Sequence, residues 1–163
     1  MRIVWDIGRG KAVFCGKDFI ITSDVRNELN GRRRLHDKNE VVNVVTSAGV
    51  YGKAYMPRRF PCGLWEITAI EKAAKPVFAP FKIKTNAHQV VDTWALDSSG
   101  GYDRKSGGTA DDYGYYLHWC AGSMTTLGCG RVGSDTPYQV VLLVELIRGA
   151  WKRGEHVFLE VSN

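Results

Sequence analysis

Apolar positions recur in steps of two along most of this chain and switch to helical spacing once, near residue 140. Residues 2–14 alternate apolar and polar positions around Gly8-Arg9-Gly10, the pattern of a β-hairpin whose short turn needs glycine dihedrals. Phe19-Ile20-Ile21 predicts a further short strand. Ser23-Asp24 then offers a cap for a brief helix through Val25 and Leu29, which Asn30-Gly31 stops. Residues 41–46 form a β-branched run and residues 50–56 a weaker one, before Pro57-Arg58-Arg59-Phe60-Pro61-Cys62-Gly63 breaks any regular pattern. Residues 64–70 alternate as a strand does. Residues 77–84 and 89–96 predict a second hairpin around Asn86-Ala87. Serine, glycine and aspartate dominate residues 97–112, which predicts a long loop placed to form a lid or a wall of a site.

The switch to helical spacing follows Arg131. Ser134-Asp135-Thr136 supplies candidate N-caps and Pro137 suits a first turn; Val140, Val141, Val144, Leu146, Ile147 and Trp151 then give an apolar face over about four turns. Gly154 marks the end of that helix, and residues 156–161 alternate as a closing strand. With no internal repeat and no linker, residues 1–163 read as a single, mainly β domain carrying one main α-helix near its C-terminal end.

Composition agrees and narrows the partners. At 44% apolar and 24% charged residues with 18 glycines, the chain is neither disordered nor fibrous. A net charge of +5 favours an anionic partner, whether nucleic acid, a membrane surface or a bacterial cell wall. The densest basic cluster, Arg32-Arg33-Arg34, lacks the interleaved aromatics of a single-strand groove and reads as a solvated turn, which argues against nucleic acid. Cys15, Cys62, Cys120 and Cys129 form no CxxC pair, and a chain of this length needs no disulfide framework. No run of 18 apolar residues occurs, and the first six residues carry charge without an apolar core of signal-peptide type. The expectation is a soluble protein with no membrane insertion and no visible secretion signal.

Candidate chemistry gathers in Tyr-Tyr-Leu-His-Trp-Cys-Ala-Gly-Ser-Met-Thr-Thr-Leu-Gly-Cys-Gly-Arg-Val-Gly, residues 115–133. An apolar and aromatic strand delivers His118, a small-residue loop follows, and a tight Gly128-Cys129-Gly130 turn leads into Arg131. A thiol attacks a carbonyl only as thiolate, and a histidine in hydrogen-bond reach takes its proton. Cys129 and His118 make such a pair, and the amides of the Gly128-Cys129-Gly130 turn suit an oxyanion. Arg131 suits a substrate carboxylate or the ordering of the loop, and Thr126 a hydrogen bond across the turn. The residues also admit plainer roles: a cysteine filling a crowded turn, a satisfied core histidine, a surface arginine. Cys62 and Cys120 read as small buried hydrophobes. A zinc site from His118, Cys120 and Cys129 ranks below catalysis because it lacks the paired short intervals of structural zinc sites. His36, His88 and His156 are expected to be structural or solvent-exposed.

The segment resembles the signature of the YkuD-type L,D-transpeptidase family, a histidine after a strand followed by a Ser/Thr-x-Gly-Cys-x-Arg run. Here these are His118 and Thr126-Leu127-Gly128-Cys129-Gly130-Arg131. The family continues with a helix and a final strand, matched by residues 137–152 and 156–161, and its Pro-x-Gly-x-aromatic-x-Ile strand is similar to residues 60–67. The likeness covers roughly residues 41–161, strongest around the motif. It departs from the pattern where Trp119 and Cys120 replace the glycine usual after the histidine, which narrows or reshapes the approach to the thiol, and where Gly130 replaces an aliphatic residue.

The resemblance implies a β-sandwich or barrel of the L,D-transpeptidase catalytic type and a cysteine enzyme without cofactor or metal. Its substrates would be peptidoglycan stem peptides. Cys129 would attack the carbonyl on the L-side of a diaminopimelate–D-alanine bond, with His118 as base and the turn amides around Gly130 as oxyanion hole. Arg131, Thr126, Gly128, Trp119 and Tyr116 would line the substrate side. Such a protein would act in the periplasm or at the cell wall after delivery by another route, as phage domains and antibacterial effectors of similar signature do; the alternative is cytoplasmic. Two rival functions stand beside it. One is an inactive cell-wall-binding or phage structural module with the same fold, and the other a papain-like amidase, whose order of cysteine before histidine is reversed here.

Overall fold

The computed structural model describes residues 1–23, 53–55, 59–96, 102–103, 109–121 and 128–163. Eight strands close into a barrel in the order β1-β12-β5-β6-β10-β11-β3-β2. These are β1 (Arg2–Asp6), β2 (Lys11–Phe14), β3 (Lys17–Thr22), β5 (Gly63–Lys72), β6 (Phe81–Thr85), β10 (Tyr116–His118), β11 (Gly130–Val132) and β12 (Phe158–Ser162). A second sheet joins β4 (Lys53–Tyr55), β7 (Gln89–Leu96) and β8 (Tyr102–Asp103), with β9 (Thr109–Asp112) also paired to β7. One α-helix, α1 (Tyr138–Lys152), completes the described structure. The mainly β reading with one helix therefore holds.

The first hairpin forms where the glycines required it: Asp6 pairs with Lys11, and Gly10 takes φ +66° in the turn. Alternation then sets the inside of the barrel. Ile3, Trp5, Ala12, Phe14, Phe19, Ile21, Ile83, Leu117, Val132, Leu159 and Val161 are all buried in one core. Trp5 places its indole N–H on the Ile21 carbonyl at 2.8 Å, so the largest interior side chain leaves no polar atom unsatisfied. The long strand β5 shifts register between Ile67 and Ala69, and this irregularity bends it so that one strand serves both β12 and β6.

Helix α1 buries Val140, Leu143, Val144, Ile147 and Ala150 against the same core. Its N-cap is Pro137 itself, with no side-chain cap from Ser134, Asp135 or Thr136. Gly154, at φ +76°, ends it: the Gly154 N–H bonds the Trp151 carbonyl and the Glu155 N–H the Ala150 carbonyl, satisfying the last turn.

Two expectations need correction. Residues 77–84 and 89–96 are not a hairpin: β6 pairs with β5 and β10, whereas β7 pairs with β4, β8 and β9. Between them the chain is held and not reversed. Glu66 N–H donates to Asn86 Oδ1 at 2.7 Å, and Thr85 Oγ1 accepts from the Ala87 amide while donating to the Tyr115 carbonyl. Val77 and Phe78 lie in a single 3₁₀ turn, Pro76–Phe78, instead of a strand, because Pro76 and Pro80 remove ladder donors there. The expected loop over residues 97–112 contains β8 and β9, both paired to β7. The helix expected after Ser23-Asp24, the strand over residues 41–46, Arg32-Arg33-Arg34, His36 and Thr126 lie outside the described residues.

Candidate active site

The site rests on two short parallel strands. Leu117 pairs with Gly130 and His118 with Arg131, while on the other side of β10, Tyr116 pairs with Lys84 and His118 with Lys82. Partners in register share a face, and faces alternate along each strand. Leu117, Gly130, Val132 and Ile83 therefore point into the barrel, and all are buried. Tyr116, His118, Arg131, Lys82 and Lys84 occupy the outer face.

Cys129 stands one residue before β11. Continued one step back, the register sets it beside Tyr116, on the face of Arg131. From ideal strand rise and spacing, its Cα lies about 8 Å from that of His118, diagonal neighbours on one face. The half-buried thiol donates to the Gly114 carbonyl at 3.8 Å, on the side of Tyr116 away from His118. The extended register thus sets Cys129 and His118 on one face, two positions apart along the strands, with the thiol bonded on the side away from the imidazole.

His118 is only 4% exposed. The edge of the Phe78 ring meets it at 4.7 Å between centroids, and the Ala121 N–H bonds the Val77 carbonyl, docking the segment after the strand onto the Pro76–Phe78 turn. Its Nδ1 lies 2.8 Å from the Trp119 carbonyl. A neutral ring with its proton on Nδ1 donates that bond and leaves Nε2 as the lone-pair base. Burial lowers the pKa of this imidazole, the bond to Trp119 raises it in part, and the Lys82 charge lowers it further. Near neutral pH the ring is an unprotonated acceptor, the form a general base requires.

Arg131 donates through Nε to the Cys120 carbonyl at 3.1 Å and through a terminal nitrogen to the Ser134 carbonyl at 2.9 Å. The Trp119 indole N–H reaches the same Ser134 carbonyl at 2.9 Å. Of the two roles expected for Arg131, these bonds match the ordering of the loop, since they tie the residues after β10 to the entry of α1. Cys120 is fully buried, as expected; burial pushes its thiol up, and the Arg131 charge offsets this in part. Among the described residues no three metal-ligating side chains converge. Cys62 is exposed, contrary to expectation. His88 and His156 are exposed, as expected, His88 between the rings of Trp65 and Tyr113 and His156 bonded to Glu66.

The glycines flanking Cys129 have separate reasons. Gly128 takes φ +103°, a backbone state disfavoured for other residues, and its carbonyl accepts the buried Ser23 hydroxyl at 3.2 Å. Ser23 Oγ in turn accepts the Phe60 amide at 2.9 Å, so one hydroxyl fixes the turn to two distant segments. At Gly130 the reason is space: a Cβ would stand 2.5 Å from Leu117 Cδ2, 3.1 Å from Ile21 Cγ2 and 3.2 Å from the Trp5 ring. An aliphatic side chain there collides first with Leu117, with Ile21 and Trp5 crowding the same volume.

Sequence reading missed Lys82, Phe78, Gly114 and Ser23. The outward position of Lys82 was visible in the alternation of Phe81-Lys82-Ile83-Lys84, but its partner strand was not. No helix among the described residues is long and apolar enough to cross a membrane. No protein-family model matches this chain, and neither a curated protein nor a solved structure is found similar to it.

Proposed function

We propose that this chain is a cysteine-dependent enzyme that modifies peptidoglycan, of L,D-transpeptidase or L,D-carboxypeptidase type, with a catalytic fold of that family. The observation that carries the reading is the register of β10 and β11, which, continued one residue before β11, sets Cys129 on the outer face of His118, whose Nδ1 lies against the Trp119 carbonyl. In the proposed reaction Nε2 of His118 takes the thiol proton and Cys129 Sγ adds to the carbonyl of a diaminopimelate–D-alanine bond. Amides of the turn at Gly128-Cys129-Gly130 hold the oxyanion. Collapse expels the D-alanine amine, which receives the proton from His118, and leaves a thioester. An amine of a second stem peptide or a water molecule then resolves it. The place of action is the periplasm or cell wall, where such peptides are.

A second reading, an inactive cell-wall-binding or phage structural module with this fold, is favoured by the near-complete burial of His118 and by the bonding of Trp119 beside it. Intact-mass detection of a covalent adduct separates the two. Wild type is incubated with a carbapenem-type acylating probe and, separately, with a purified tetrapeptide muropeptide. An adduct on Cys129 and release of D-alanine, both lost in Cys129→Ala and His118→Ala, are expected. Absence of adduct and turnover in wild type, with Cys129 titratable only on unfolding, refutes catalysis.

A further inference from the structure

Arg131, expected from the sequence to hold a substrate carboxylate or to order the loop, bonds the backbone carbonyls of Cys120 and Ser134. A different cation, Lys82, stands on the same outer face. Lys82 is the cross-strand partner of His118 on β10 and of Glu71 on β5. Its ammonium does not pair with Glu71: among the described residues no carboxylate lies within ion-pair distance of it. Instead Nζ leans over the Tyr116 ring, 4.2 Å from its centroid. Tyr116 is the residue beside Cys129 in the extended register, so this lean carries the charge from the row of His118 to the row of the thiol. Lys84, the register partner of Tyr116, is exposed on the same face. Strands β6, β10 and β11 carry Lys82, Lys84 and Arg131 on this face and contain no acidic residue.

We infer that Lys82, braced on Tyr116, receives a carboxylate of the molecule presented to Cys129 and so makes the site selective for anionic acyl donors. The inference deepens the proposed function, on which that group is the terminal carboxylate of the D-alanine to be released. A lysine ammonium suits this role as a mobile point charge, held by a ring face without being neutralised.

The test needs no acyl transfer. Cys129 is alkylated with iodoacetate or with iodoacetamide, in each case with the thiolate displacing iodide, and the rate at Cys129 is followed by peptide mass. The exposed Cys15 and Cys62 serve as references in the same molecule. The rate ratio of charged to neutral reagent cancels any change in thiolate fraction. The ratio at Cys129, normalised to the references, is expected to fall about fivefold in Lys82→Met, the scale of an exposed ion pair, and to be retained in Lys82→Arg. In wild type it is expected to fall as salt is raised. A ratio unchanged in a folded Lys82→Met, or flat with salt in wild type, overturns the inference. Muropeptide turnover with an unchanged ratio would overturn the role of Lys82 and leave the proposed function standing; a Lys82-dependent ratio without turnover would do the reverse.

Discussion

The two faces of the β10–β11 pair differ in nearly every physical respect although they share six backbone residues. Inside, Leu117, Gly130 and Val132 meet Trp5 and Ile21 so closely that one added methyl group has no room. Outside, Tyr116, His118 and Arg131, with Cys129 one step before the strand, make directed polar contacts: a ring under an ammonium, an imidazole on a carbonyl, a guanidinium on two carbonyls. The interior is governed by volume and the exterior by orientation. A strand alternates its side chains strictly, so three residues suffice to build a wall of the core and a row of chemistry at once. The cost of that economy is that any slip in register exchanges the two.

The comparison predicts that interior substitutions change stability and exterior ones chemistry. Leu117→Ala should show the largest loss, about 2–5 kcal/mol in denaturant unfolding, whereas Tyr116→Ala next to it should cost less than about half of that. Equal losses would erase the distinction. Gly130→Ala should lose about 1–3 kcal/mol by overpacking, and the additional change Leu117→Ala should relieve part of it, a non-additivity visible in a double-mutant cycle.

His118 sharpens the contrast, since it sits on the chemical face yet is buried. Its pKa is lowered in the folded chain, so below the ordinary value of 6.5 the unfolded chain binds a proton that the native one refuses. Stability is therefore intact above pH 6.5 and falls as the pH drops from there toward the lowered native value, with a slope of at most about 1.4 kcal/mol per pH unit. His118→Gln should flatten that window in pH-dependent unfolding; an identical slope in the variant would assign it to another group. The smallest effect belongs to the far side of the barrel. Arg2→Ala removes an exposed ion pair to Glu160, 2.9 Å long, and should change stability by less than about 1 kcal/mol and alkylation of Cys129 not at all.

The fold was legible where a segment's own pattern determined it. Gly8-Arg9-Gly10 fixed the first turn, alternation fixed which face of each barrel strand is buried, and Gly154 fixed the end of the helix, because each of these is local. What was not legible was pairing. Asn86-Ala87 has turn chemistry, but the contacts of Asn86 with Glu66 and of Thr85 with Tyr115 override it and lead the chain out of the barrel into a second sheet. The site divided in the same way. The pairing of His118 with Cys129 was suggested by their chemistry and the glycines around the thiol, and the extended register sets both on one outer face. That Arg131 bonds the carbonyls of Cys120 and Ser134, that Lys82 stands beside His118 and that Leu117, Ile21 and Trp5 crowd Gly130 depend on how the strands pair, which no local spacing encodes.

The parallel pairing of β1 with β12 has a bearing on how the molecule is made. Phe158–Ser162 is inserted between β1 and β5, so a chain emerging from the ribosome holds all the residues of the thiol face well before the barrel around it can shut. Closure demands contacts between segments more than 150 residues apart, the slow kind that local elements cannot hasten. During synthesis Cys129 and His118 are covalently present before the strand that closes the barrel between β1 and β5 can pair.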